Sequence, residues 1–370
     1  MGLIVATVMP GFLTASLAPR IRGDFSFGDS ALGICVGAFY VVSAVGSTPA
    51  GRLIDRVGAM RGMRLAAGFT AACCLAVAAL AQSAASLTAL ILLGGVANAL
   101  GSPTVSTLLK QEVAVHRQGL AFGAQQSGAT LGALLAGLAL PAVAIPLGWR
   151  WAYVGAALLA LLAAAFAPRV EAEPAASSGT RPPRGLSSVH ALALAAVLAS
   201  AAGVGFISFL VSYSVDNGMS EGAAGLLLGG VSLMATLSRL ALGAFADRAG
   251  QEPLRPVATM LAASVAGYLF LIAGEPVTIA VAALLAGALG WAWPGGLNLA
   301  VVQRSPEAPA WAVGVMMTGL FTGAVVGPLL VGFLAEHELF SEAWIACATL
   351  ALLAAATLVV TRRRERPRPV

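Results

Sequence analysis

Twelve apolar runs of about twenty residues decide what this chain can fold into. They cover about 1–19, 31–50, 63–82, 86–109, 118–142, 149–168, 189–213, 222–245, 255–274, 276–301, 309–335 and 341–361. A helix needs roughly 20 mostly apolar residues to cross a bilayer. The runs are continuous rather than alternating, and about twice the length of a barrel strand, which excludes a β-barrel. Composition points the same way. The chain is 59% apolar and 10% charged, whereas a soluble domain is nearer a quarter charged. An all-α polytopic membrane protein with twelve transmembrane helices is expected.

The net charge of +5 does not indicate a nucleic-acid partner, because of where the charges fall. If the runs alternate sides, the even-to-odd connections and the C-terminal tail hold 18 of the 21 basic residues. The other side holds Arg20, Arg22 and Arg150, while the 16 acids divide eight and eight. Basic residues stay cytoplasmic and acids matter little, so both termini are expected in the cytoplasm of a cell with this protein in its inner membrane. The tail Arg362–Arg368 reads as a stop-transfer anchor, with contact to anionic lipid as the alternative. Cys35, Cys73, Cys74 and Cys347 all fall inside runs. Neither a disulfide framework nor metal-ligand spacing is present, and no cofactor is expected. No cleavable signal is evident. The register of the second half places the start of the first run just before residue 1, so either the true start is upstream or the leader is absent.

One octapeptide occurs twice. Gly51-Arg-Leu-Ile-Asp55-Arg56-Val-Gly58 closes the second run, and Gly243-Ala-Phe-Ala-Asp247-Arg248-Ala-Gly250 closes the eighth, 192 positions later (243 minus 51). At that shift Gly33, Gly37 and Gly95 meet Gly225, Gly229 and Gly287. At a shift of 191, Pro103 meets Pro294, and Gly123, Gly128 and Gly132 meet Gly314, Gly319 and Gly323. This is an internal repeat of six runs, and an even number of crossings makes the two copies parallel. The polar stretch 169–188, rich in Pro, Ser and charge, reads as a cytoplasmic linker. The expected division is 1–168, 169–188, 189–361 and a basic tail 362–370. Small residues every four or five positions in runs five and eleven let helix backbones approach closely, either to slide or to pack statically.

These features make the chain resemble the major facilitator superfamily. The family's loop pattern between its second and third helices is matched by Gly51, Asp55, Arg56 and Gly58, with Arg61 and Arg64 following. The second copy, Gly243, Asp247, Arg248 and Gly250, lacks an immediate basic follower. Gly148-Trp-Arg-Trp-Ala-Tyr153 also looks like a family sequence. The resemblance implies two six-helix pseudo-symmetric bundles, with runs 1, 4, 7 and 10 around a cavity and runs 3, 6, 9 and 12 toward lipid. It also implies a gating role for both octapeptides. Asp55 is expected near the start of run eleven and Asp247 near Gln118–Phe122. There a carboxylate beside a helix N-terminus is favourable by about 0.3–1 kcal/mol, closing the cytoplasmic side. Topology-setting charge alone is the alternative.

Polar groups are costly in hydrocarbon and belong in the bundle interior. Away from run ends these are Asn98, Gln125, Gln126, Arg239 and Asn298. Arg239 is the sharpest. Its repeat counterpart is Ser47, and a guanidinium in a cavity offers paired donors to an oxyanion. The position resembles the substrate-contacting arginine of monocarboxylate transporters; bracing a gate is the alternative. Gln125 and Gln126 either share the anion or satisfy backbone groups. Trp291 and Trp293 either wall the cavity or pack. No Asp or Glu lies in the middle of a run, which disfavours a proton-driven exporter of cationic drugs. The reading is a facilitative or secondary active transporter, not an enzyme, acting as a monomer on a small organic or inorganic anion. Proton or ion coupling is left open. The alternative is an exporter of neutral or hydrophobic compounds, with Arg239 structural.

Overall fold

The computed structural model of the protein describes residues 1–112, 118–166, 186–249, 254–305 and 309–365, with some side chains near the segment ends left out. The first half comprises α1 (Gly2–Ser16), α2 (Ala18–Asp24), α3 (Asp29–Val57), α4 (Ala59–Leu80), α5 (Ala84–Glu112), α6 (Gln118–Ala139), α7 (Ile145–Leu147) and α8 (Trp149–Ala165). The second comprises α9 (Leu186–Asp216), α10 (Glu221–Ala249), α11 (Leu254–Phe270), α12 (Pro276–Gly290), α13 (Trp293–Arg304), α14 (Pro309–Glu336) and α15 (Phe340–Glu365). Among the described residues there is no strand. Ten spans are long and apolar enough to cross a bilayer, and the bent pair α1–α2 makes an eleventh. The sixth run forms α8, a shorter apolar helix of 17 residues.

Proline explains where the runs depart from plain helices. A proline lacks the N–H that would bond four residues back, and its ring crowds that carbonyl. Pro19 stands at the start of α2, where the chain bends by 64°. Pro141 sits in a π-helical turn, Leu140–Ala144, that joins α6 to α7, a widened turn of the kind that accommodates such an interruption. The tenth run, read as continuous, is broken between Gly290 and Trp293, one residue before Pro294.

The principal helix pairings recur in both halves. In the first, α1 packs on α6 and α8, α3 on α5, and α4 on α5 and α8. In the second, α9 packs on α14 and α15, α10 on α12, and α11 on α12 and α15. The halves meet along α3 with α14 and along α6 with α10. The odd-to-even connections gather at one end, the end poor in arginine. There Trp149 Nε1 donates to Asp24 and an Arg150 Nη donates to the Ala81 carbonyl. Tyr213 bonds the Leu271 carbonyl, and the Ser30 amide donates to Glu336 Oε2 at 2.9 Å.

The repeat is visible contact by contact. A Cβ on Gly225 would lie 2.6 Å from the Gly137 carbonyl oxygen, and one on Gly137 equally close to that of Gly225. The repeat-related pair is Gly33, whose Cβ would collide with the Pro328 carbonyl. One turn on, Gly229 faces Leu138 and Gly37 faces Leu329. Within the halves, Gly95 faces the Phe39 carbonyl and Gly287 that of Val231, while Gly132 faces Val5 and Gly323 faces Val197. All of these tight approaches between the halves lie toward the arginine-poor end. Toward the other end, Gly51, Gly243 and Gly314 have no described atom within 4 Å of a would-be Cβ.

Outer faces are apolar. Leu158 and Leu161 on α8 and Leu352 and Leu353 on α15 are about half exposed, a surface that suits lipid, and the four cysteines are buried and free. Gly58 is both the last residue after α3 and the first before α4, with φ 84 and ψ 155. That region is essentially closed to other residues, at a cost of about 1–3 kcal/mol. Gly58→Ala is therefore expected to lower the melting temperature in detergent. Gly51→Ala, inside α3 with no described atom near the added Cβ, is expected to be neutral or stabilising by up to about 1 kcal/mol. Equal melting temperatures for the two variants would contradict this account.

Candidate functional site

Moving along α6 and α10 from the Gly137–Gly225 crossing, the next contacts are polar. The Thr236 and Thr130 hydroxyls hydrogen-bond at 2.7 Å. One turn further is Arg239, 8% exposed. Its Nη1 donates to the Gln126 carbonyl at 2.6 Å, and its Nε and Nη2 donate to the Trp291 carbonyl at 3.1 and 2.7 Å. Trp291 is the residue at which α12 ends, so its carbonyl is one of the acceptors a helix terminus leaves without an intrahelical donor. The guanidinium also lies 5.4 Å from the centre of the Trp291 ring, and Phe12 of α1 packs edge-on against that ring at 5.9 Å. One cluster thus joins α1 and α6 of the first half to α10 and the α12–α13 break of the second.

The charge of Arg239 is bonded but not neutralised. Carbonyl dipoles offset part of the desolvation cost, several kcal/mol for an isolated ion, yet leave a unit positive charge. Among the described residues no carboxylate pairs with Arg239. Of the five N–H groups on a guanidinium, three are engaged with carbonyls. Among the described residues the repeat-related helix pair has no such link. Its counterpart residue is Ser47, whose hydroxyl bonds the Ser43 carbonyl in its own helix.

The other candidates separate. Gln125 is buried, and its Nε2 reaches the Ser102 carbonyl and hydroxyl on α5 at 3.3 and 3.4 Å. Gln126 is half-buried and contributes its carbonyl to Arg239. Asn98 donates to the Ser43 hydroxyl at 3.0 Å, tying α5 to α3. Trp293 packs with Leu242, Val257 and Leu297 inside the second half, away from the Arg239 cluster, and Asn298 is half-buried on α13. Of the residues expected to gate, Gly51, Gly58 and Gly243 are placed as described above, and Arg56 is exposed. The side chains of Asp55, Asp247 and Arg248, and the whole of Gly250, lie outside the described residues.

Sequence reading missed a clamp at the arginine-poor end. Arg20 pairs with Glu221 and Arg22 with Asp29. Arg22 Nη1 is 3.8 Å from Asp216, and Arg150 Nη1 is 2.6 Å from Asp24. All three basic residues of that end are therefore in ion pairs, and two of them bridge the halves. A signal existed, because Asp29 and Glu221 are 192 apart (221 minus 29) and so occupy one repeat position. Partly exposed pairs are worth about 0–1 kcal/mol each, so the clamp sets register while backbone packing supplies most of the adhesion.

The sequence matches the family model of the Major Facilitator Superfamily over residues 1–192 and again over 192–370. An uncharacterized MFS-type transporter of Mycobacterium tuberculosis (strain CDC 1551 / Oshkosh) is 28% identical over 331 residues, covering 84% of this chain and 72% of the relative. Multidrug resistance protein MdtG of Klebsiella pneumoniae (strain 342) is 31% identical over 114 residues, 31% of this chain and 27% of that protein. Among solved structures, a bacterial homolog to the human lysosomal transporter Spinster, in an inward-facing and occupied conformation, superposes with a TM-score of 0.74 at 17% identity. It covers 100% of this chain and 97% of the other. The nucleoside transporter NupG gives 0.73 at 14% identity, over 97% and 98% of the two chains. At these identities the structural likeness establishes the fold.

The Thr130–Thr236 hydrogen bond is expected to couple the halves. A double-mutant cycle of Thr130→Val and Thr236→Val, followed by thermal or denaturant unfolding in detergent, should give a coupling of about 0.5–1.5 kcal/mol. Additive effects would contradict the contact.

Proposed function

The chain belongs to the Major Facilitator Superfamily, a family of membrane transporters rather than enzymes, and we propose that it carries a small organic or inorganic anion by alternating access. The observation that carries this reading is the gradient of packing between the halves. Repeat-related glycines touch the opposite half near one end, and near the other Gly51, Gly243 and Gly314 have no neighbour among the described residues. Glycines with unused room favour a second state in which that end closes. With basic residues retained inside, the open end is cytoplasmic, both termini lie in the cytoplasm, and the conformation is inward-open. The inward-facing state of the Spinster homolog is in keeping with this.

Closing the cytoplasmic end would bring Asp55 to the start of α14 and Asp247 to the start of α6. Opening the other end would break Arg20–Glu221 and Arg22–Asp216. Arg239 supports the choice of an anion. It is a buried positive charge with no carboxylate partner among the described residues, beside an interrupted helix, and it has N–H groups to spare. A monomer suffices, because both halves of the pathway come from one chain. With no acid in the middle of any run, uniport, exchange, and symport with the proton carried by the substrate all remain compatible with this reading.

A second reading, export of neutral or hydrophobic compounds, has an observation in its favour. Three Arg239 donors are already held by carbonyls, as a structural brace would be. The two readings separate in a binding assay. A thermal-shift screen of carboxylates, inorganic oxyanions and hydrophobic drugs should give anion-dependent, salt-sensitive stabilisation that disappears in Arg239→Ala. A shift common to both proteins would remove the anion assignment. In proteoliposomes, Asp55→Asn is expected to insert normally and transport more slowly; normal flux at equal insertion would count against the gating role.

A further inference from the structure

Helices α11 and α15 face lipid and form a groove of about 570 Å³ at the arginine-rich end, within the usual range for a ligand cleft of about 300–1,000 Å³. Its lining is apolar and includes four alanines, Ala258 and Ala355 buried, Ala262 and Ala356 exposed, beside Leu352 and Val359. Its mouth carries Arg255, Arg362 and Arg363. Arg255 and Arg363 are exposed, and among the described residues neither has a carboxylate partner. We infer that this groove is a binding site for an anionic phospholipid, one acyl chain lying along the alanines and the phosphate held by the arginines.

Three features favour that occupant. From Leu352 to Arg363 along α15 is about 16 Å by helical rise, close to the depth of one hydrocarbon leaflet, about 15 Å. The groove therefore runs from the headgroup level to about the bilayer midplane, the shape of a lipid rather than of a soluble ion. The charge is one-sided, and a basic pocket between spanning helices at the cytoplasmic face is how anionic headgroups are recognised. Finally, among the described residues the groove has no repeat counterpart. The counterpart of α15 is α8, which ends at Ala165, equivalent to Ala356 in the 191-residue register. Arg61 and Arg64, at the start of α4, thus have no matching wall among the described residues. The site is independent of what the transporter carries.

Native mass spectrometry of the delipidated full chain tests it, with phosphatidylglycerol and phosphatidylcholine of identical acyl chains as probes. Phosphatidylglycerol should bind at lower concentration. The double variant R255A/R363A should lower its occupancy by roughly an order of magnitude while leaving phosphatidylcholine binding unchanged, and R61A/R64A should leave both unchanged. Ala262→Trp with Ala356→Trp, which fills the groove but keeps the arginines, should also remove the preference. Equal binding of the two lipids by the unaltered protein would overturn the site. So would a phosphatidylglycerol preference that survives either R255A/R363A or the tryptophan pair.

Discussion

The close approach of backbones where α6 crosses α10 and α3 crosses α14 is the constraint on which the rest of the molecule depends. In lipid, helices gain little by hiding apolar side chains from one another, because the solvent is itself apolar. Adhesion must come from van der Waals contact at short range and from polar groups satisfied inside. Gly137 with Gly225, and Gly33 with Pro328, bring carbonyl oxygens to where a side chain would otherwise stand. Two such crossings, related by the repeat, join the halves near one end. The ion pairs of Arg20 and Arg22 add register to a contact that packing has already made.

Arg239 is where the duplication gives way to specialisation. Ser47, its counterpart, bonds the Ser43 carbonyl of its own helix, whereas Arg239 reaches a carbonyl in each half. A charge that has lost its water is held there by peptide dipoles and by the face of Trp291. One of its partners, the Trp291 carbonyl, is available because α12 ends there, three residues before Pro294. Membrane burial, a broken helix and a lone guanidinium are thus one arrangement rather than three.

Much of this was legible in the chain. Several of the aligned glycines, Gly33 with Gly225, Gly37 with Gly229, Gly95 with Gly287 and Gly132 with Gly323, reappear as repeated contacts, because close backbone approach is a local demand that only a small residue meets. The aligned prolines do not, Pro103 lying inside α5 and Pro294 beside a helix break. Gly58 was readable as part of a motif, though its reason, a single-residue link at φ 84 between two helices, needed the backbone. Arg239 stood out because charge is costly in hydrocarbon, but its acceptors did not, since main-chain carbonyls have no sequence signature. The clamp was hidden for another reason. Arg20 and Glu221 are 201 positions apart, and only the folded repeat brings them together. The two tryptophans near Pro294 look equivalent in sequence. The break between α12 and α13 turns Trp291 toward Phe12 and Arg239, and Trp293 into the core of the second half.

The most direct test of the two-ended interface is a pair of distance measurements by pulsed electron resonance on spin-labelled protein in bilayers. Labels at Arg52 and Thr318 would report the arginine-rich end, and labels at Ser26 and Glu338 the opposite end. The account predicts that conditions or ligands which shorten the first distance lengthen the second, in one coupled population shift. Two distances that stay fixed, or that change in the same direction, would contradict it.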